Sequence, residues 1–346
     1  MGLGALALLL AASVANAVAP EGPRLAFLEF VNQPDALRVA TGDASLAERT
    51  TVAGGSSRVR PFPYALSGPA WSPDGALIAF TATRGPSSGL FKPRRRQIYL
   101  VAADGSGLAA IPGTREGFGP VFFPNGWRIA FAKSKFSSPG MPQKSISIWS
   151  VDLDGSGLTQ LTEWAPGIEN LPSSSSPDGS ILAFTHRDAI RERVDARALR
   201  LSDDSSFVLA RNAKWPRYSP DGSRIAFVGV EAADGGSCCE LGDGFTVDLY
   251  TMNENGSSRH RLTDTSLKAE QPPSWDPSGE RLAYMTAGGP AEALGSYVDS
   301  VMQVNADGTC PSRISAPILR PGGHWVAFDF PVWQPGSGRE AGRIEC

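Results

Sequence analysis

Short apolar runs recur along this chain, each bounded by glycine, proline, serine, aspartate or asparagine. Leu77-Ile78-Ala79-Phe80, Arg224-Ile225-Ala226-Phe227 and Ile98-Tyr99-Leu100-Val101 are examples. None is long enough for a helix, so the pattern predicts β-strands throughout. What precedes one class of strand is repetitive. Pro-x-aromatic-x-Pro-x-Gly and a strand ending in Ala-Phe or Ala-Tyr occur as PAWSPDGALIAF at 69–80, PVFFPNGWRIAF at 120–131, PRYSPDGSRIAF at 216–227 and PSWDPSGERLAY at 273–284. A degraded copy, SSSSPDGSILAF, occupies 173–184, with serines where the aromatic belongs.

A further copy begins at 331 as PVWQPGSG and lacks its strand. A matching strand without its turn motif, Arg24-Leu25-Ala26-Phe27, lies at the other end. A chain that starts with one half of a unit and ends with the other half predicts a ring closed by its own termini. The expected fold is therefore all-β, a six-bladed β-propeller closed by pairing of the N- and C-terminal segments. Its first blade would be shared between residues 24–52 and 328–335, with Pro331 to Pro335 forming the innermost strand.

Turn chemistry explains the repeat. In Ser-Pro-Asp-Gly, proline pre-sets φ, aspartate bonds nearby backbone and glycine supplies positive φ. A third strand ends in Asp104-Gly105, Asp154-Gly155, Asn255-Gly256 or Asp307-Gly308, and a short fourth strand follows. Proline cannot donate to a ladder and belongs at an edge, which places the Pro-x-aromatic strand beside the central channel.

The sequence PxWSPDGxxIAF…IYxxxxDGxxxxxLT resembles the TolB-type propeller repeat, and Trp71-Ser72-Pro73-Asp74-Gly75 matches it at every position. The resemblance runs over roughly residues 24–335 and implies the propeller alone. Neither the additional α/β domain of TolB nor the hydrolase domain of prolyl peptidases has a counterpart in it. It does not imply one function, because this fold serves several. A net charge of −3 over 346 residues gives no reason to expect nucleic acid or a membrane surface as partner.

Met1 to Ala19 reads as a targeting segment, with an apolar run from Leu3 to Val14 and an Ala15-Asn16-Ala17 cleavage signature. No lysine or arginine precedes Arg24. The expectation is a signal peptide or membrane anchor over 1–17, a propeller over 18–346, and a secreted or periplasmic location. An uncleaved segment would be the one tie to a membrane. Export favours disulfides. Cys310 follows the Asp307-Gly308 turn, on the face where the C-terminal tail emerges, so a Cys310–Cys346 bond is the expected pairing. Cys238 and Cys239 fall in a long connection on the opposite face and would be a vicinal disulfide or free thiols.

Candidate chemistry is sparse. Gly85-Pro86-Ser87-Ser88-Gly89 fits G-x-S-x-G, yet it lies in a loop between strands rather than at a strand-to-helix elbow. His186, His260 and His324 stand in different units without metal-ligand spacing. Asp152-Leu153-Asp154-Gly155 matches the start of a calcium loop and none of the rest.

In a four-stranded up-and-down blade, the short turns share one face and the second connections emerge on the other. The second connections are read as about 84–97, 132–145, 185–197, 229–247 and 286–299. The first two are basic, with Arg94, Arg95, Arg96, Lys133 and Lys135. The third mixes Arg187 with acids, and the last two are acidic. Long loops on a rigid scaffold are where binding concentrates. Beside them, just before the inner-strand prolines, stand Glu169, Asn170, Lys214, Glu270, Gln271 and Asp329. The expectation is a monomeric, non-catalytic scaffold without cofactor that binds a protein or cell-envelope polymer through this face. The alternative is a calcium-dependent hydrolase or lyase, with Glu169, Glu270 and Asp329 holding a cation at the channel mouth.

Overall fold

The computed structural model describes residues 24–31, 37–43, 49–54, 59–61, 68–84, 96–136, 144–232, 245–264, 272–289, 298–315, 318–320, 324–335 and 343–346. Regular structure among them is entirely β. The strands form antiparallel sheets of five, eight, four, four and five strands. The eight-stranded sheet consists of two successive repeat units. One parallel bridge, Ile146 to Glu169, joins the third strand of one to the first strand of the next.

The turns form as their chemistry dictates. Ser72 Oγ donates to Asp74 Oδ1 and accepts from the amide of Leu77 at 2.9 Å, while the Gly75 amide returns to the Ser72 carbonyl at 2.8 Å. Ser176 with Asp178, and Ser219 with Asp221, repeat the arrangement. Asp276 takes the serine's place in the Trp275 unit and accepts from the Arg281 amide at 3.1 Å. At Asp178 and Asp221 these bonds favour the ionised carboxylate. The Ser176 hydroxyl and the amide and hydroxyl of Ser180 hold Asp178 down at about 2, and Thr309 with Arg343 does the same for Asp307.

Each turn glycine also meets the turn of the preceding unit. A Cβ on Gly126 would lie 3.8 Å from Pro73, one on Gly179 3.6 Å from Pro124, one on Gly222 3.1 Å from Pro177 and one on Gly279 3.4 Å from Pro220. Gly75 makes the corresponding approach across the chain ends, where a Cβ would lie 2.8 Å from the Pro335 carbonyl oxygen. Its φ of +69° disfavours any residue with a Cβ on conformational grounds as well.

The first and last strands of the described chain share one sheet. Strand His324–Trp333 pairs antiparallel with Arg24–Val31, Val332 opposite Ala26 and Trp333 opposite Leu25. Strands Leu37–Asp43 and Arg49–Gly54 continue this sheet on one side and Ile318–Arg320 flanks it on the other, five strands in all. The core lies between successive repeat units. One cluster joins Ala26, Leu28 and Val39 of the terminal sheet to Trp71, Ile78 and Phe80. Another joins Leu25, Phe27 and Trp333 to Ala283, Met285 and Val301 of the preceding sheet. Further clusters join each remaining pair of successive units. Such face-to-face burial between neighbours is what a repeat architecture requires.

The connections are shorter than the charge pattern suggests. Strand Arg128–Phe136 carries Lys133 and Lys135, and strands Ile181–Asp188 and Arg193–Arg200 leave only 189–192 between them. Polar residues at the far ends of these strands read as loop in sequence, but their backbones remain in the ladder. No helix of the described residues is long and apolar enough to cross a membrane.

Candidate binding site at the channel

The inner strands converge on a common cavity. Pro69, Pro120, Pro172, Pro272 and Pro331, each from a different repeat unit, line it together with Trp215 and Arg217. Its volume is about 40 Å³. Prolines suit this position because the inner strand has no further ladder to donate to.

The strand Ala213–Tyr218 supplies the chemistry. Its register slips between Lys214 and Arg217, a bulge that puts Trp215 in the left-handed region at φ +53°. The preceding unit but one has Gly119 at the same place, with φ +64° and a bulge of its own. The two amides are held alike, Gly119 N–H donating to Thr81 Oγ1 at 3.1 Å and Trp215 N–H to Thr185 Oγ1 at 2.8 Å. A tryptophan in this conformation is strained by about 1–3 kcal/mol, a cost that concentrates at functional sites. The Lys214 ammonium stands 5.8 Å from the Trp215 ring centre.

Around this strand the polar groups are already engaged. Glu169 is 7% exposed and takes ion pairs from Lys144 and Arg187, both at 3.4 Å. Asn170 Oδ1 and His186 Nδ1 are 2.8 Å apart, and burial pushes the His186 pKa down. Asp329 sits in the terminal sheet with its backbone opposite Leu28. Gln271 and Glu270 lie outside the described residues, as do Arg94, Arg95, Cys238 and Cys239. Among the described residues no three His, Cys, Asp or Glu side chains are grouped to hold a metal.

Two of the basic residues expected on the docking face serve the fold. Arg96 opens strand Arg96–Ala102, lies 4.6 Å from the centre of the Phe118 ring and donates to Ser134 Oγ at 2.7 Å. Lys133 lies over Trp149 at 4.6 Å and donates to the Gly113 carbonyl at 3.1 Å. Burial lowers the pKa of both. Lys135 is exposed. At the other end, Cys310 and Cys346 are bonded, with Cα atoms 5.2 Å apart.

Trp215 and Arg217 did not stand out from the sequence. The available signal was positional. The second place of the Pro-x-aromatic motif faces the channel, and it holds Ala70, Val121, Ser174, Ser274 or Val332 in other copies but arginine at 217.

No family model matches the chain, and no curated protein matches it. Solved structures do. A structure assigned to TolB from Agrobacterium tumefaciens has a TM-score of 0.56 at 15% identity, over 89% of this chain and 98% of that one. A chain of the nidogen/laminin complex gives 0.55 at 13%, over 90% and 98%. A puromycin-hydrolysing peptidase from Mycobacterium tuberculosis gives 0.54 at 15%, over 86% of this chain and 43% of that one. Likeness at such identities carries the fold and not the activity. The chain is a β-propeller, similar in structure to TolB.

Proposed function

We propose that this protein is a six-bladed propeller closed by its own ends, acting as an exported, non-catalytic module that binds a protein or envelope polymer. Its docking surface is the face where Trp215 and Lys214 stand at the channel mouth. The signal-like segment over 1–17 supports export. Antiparallel pairing of both chain ends, and core clusters between every pair of successive units, support the closed ring.

The observation that carries the binding reading is Trp215. A glycine serves the same bulge elsewhere, so the fold does not demand a tryptophan there. A large aromatic held in a costly conformation beside a cation is the composition of an interface anchor. The enzyme reading lacks a corresponding feature, because Glu169 is consumed by Lys144 and Arg187.

Trp215→Gly tests this cleanly, since glycine accepts the observed φ without strain. The variant is expected to melt no lower than the wild type. Its retention of isolated peptidoglycan or of solubilised envelope proteins should fall by about tenfold or more, as for loss of an aromatic hot spot. Unchanged retention of both materials would contradict the proposal.

A further inference from the structure

Arg217 lies deeper in the channel than Trp215 and is not explained by the docking face. It forms part of the wall shared by the mouth cavity and a second cavity of about 280 Å³ at the short-turn end. Tyr218, Pro273, Trp275, Trp333 and Pro335 line that second cavity. Among the described residues, the one hydrogen bond of the guanidinium runs from Nη1 to the Ser173 carbonyl. Nε is buried and has no hydrogen-bond partner among the described residues. No described carboxylate pairs with it. Asp276, the acid lining this cavity, is fully buried and accepts from the Ser278 hydroxyl and the amides of Glu280 and Arg281.

A half-buried charge whose Nε is out of water, and with which no described carboxylate pairs, is costly. Desolvation lowers the Arg217 pKa to about 10, which still leaves the group fully charged near neutrality. Five other units place small or apolar residues at this position, so the fold does not need the charge. The remaining donors, Nε and Nη2, form the side-on edge of the guanidinium. That edge matches the two oxygens of a carboxylate, and the residue lines the cavity.

We propose that the short-turn end of the channel binds a small monocarboxylate, its anionic head on Arg217 and its apolar body against Trp275, Trp333 and the prolines. The volume sets the size, since drug-sized ligands occupy roughly 300–1,000 Å³. Charge sets the class. Among the described residues Arg217 is the one basic residue lining this cavity, which suits a single negative charge better than a phosphate dianion. The aromatic and proline walls give a flat apolar body the contact area that a bare ion cannot use.

The test is titration of the full-length protein with benzoate and, separately, inorganic phosphate, read by tryptophan fluorescence and by thermal midpoint. Benzoate should bind saturably and raise the midpoint, as any ligand specific to the folded state does. Phosphate should do neither. Arg217→Met should abolish the benzoate response while melting higher than the wild type without ligand, because an uncompensated charge is gone. Arg217→Lys keeps a charge and loses the fork, so its benzoate affinity should fall by about tenfold or more. No saturable benzoate binding by the wild type would overturn the site. So would undiminished affinity in either variant, or tighter binding of phosphate than of benzoate.

Discussion

Removing residues 328–346 is expected to destabilise the protein by at least about 5 kcal/mol, enough to unfold a marginally stable domain. The deletion takes Trp333, 3% exposed and packed with Leu25, Phe27, Ala283, Met285 and Val301. Loss of a buried tryptophan side chain alone costs about 3–5 kcal/mol. It also removes the carbonyl of Val332 that accepts from Trp71 Nε1 at 3.0 Å and the Gln334 amide that donates to the Gly75 carbonyl at 2.8 Å. The Leu25–Glu29 stretch of strand Arg24–Val31 then becomes an unpaired edge, which invites aggregation. Urea unfolding of the two chains measures the difference. A truncated chain with an unchanged midpoint would mean that the C-terminal strand is dispensable.

Cys346→Ser is expected to cost about 3–4 kcal/mol, the chain-entropy value for a loop of this length, because the bond spans 36 positions. The tail is also docked by other means. Asn305 exchanges two hydrogen bonds with the backbone of Ile344, at 2.9 and 3.0 Å, and Arg343 reaches Asp307 at 2.6 Å. The tail thus fastens to the sheet next to the terminal one, and the serine variant should loosen it without releasing the inner strand. Reductant should lower the thermal midpoint of the wild type to that of the variant and leave the variant unmoved. A wild type indifferent to reductant would show that the bond contributes nothing.

The fold was readable because its turns are chemical. Ser72, Asp74 and Gly75 each meet a requirement of φ or hydrogen bonding that few residues satisfy, and the requirement repeats. The degraded copy survives for a reason invisible in the motif. The Ser174 hydroxyl accepts from the Tyr218 amide at 3.1 Å and donates to the Pro216 carbonyl at 2.9 Å, linking inner strands where the aromatic is lost.

The site was less readable. Counting charges in apparent loops picked out Arg96 and Lys133, but whether a cation faces solvent or an aromatic ring depends on where its strand ends. Arg96 stacks on Phe118, and Lys133 on Trp149. Trp215 and Arg217 were hidden for the opposite reason. They lie inside a strand whose sequence announces structure, and their significance comes from the units that lack them.

Both proposed sites depend on a channel, and a channel depends on the ring being closed by its own ends. The most direct test is a cross-strand disulfide at the closure, Ala26→Cys with Val332→Cys, in a chain where Cys238 and Cys239 are serine. These positions are opposite one another in the antiparallel ladder, within the Cα separation a disulfide spans. The proposed closure predicts an intramolecular bond, mapped between the peptides containing positions 26 and 332, in a protein that remains monomeric and folded. Failure of the two cysteines to join, or joining only between separate molecules, would contradict it.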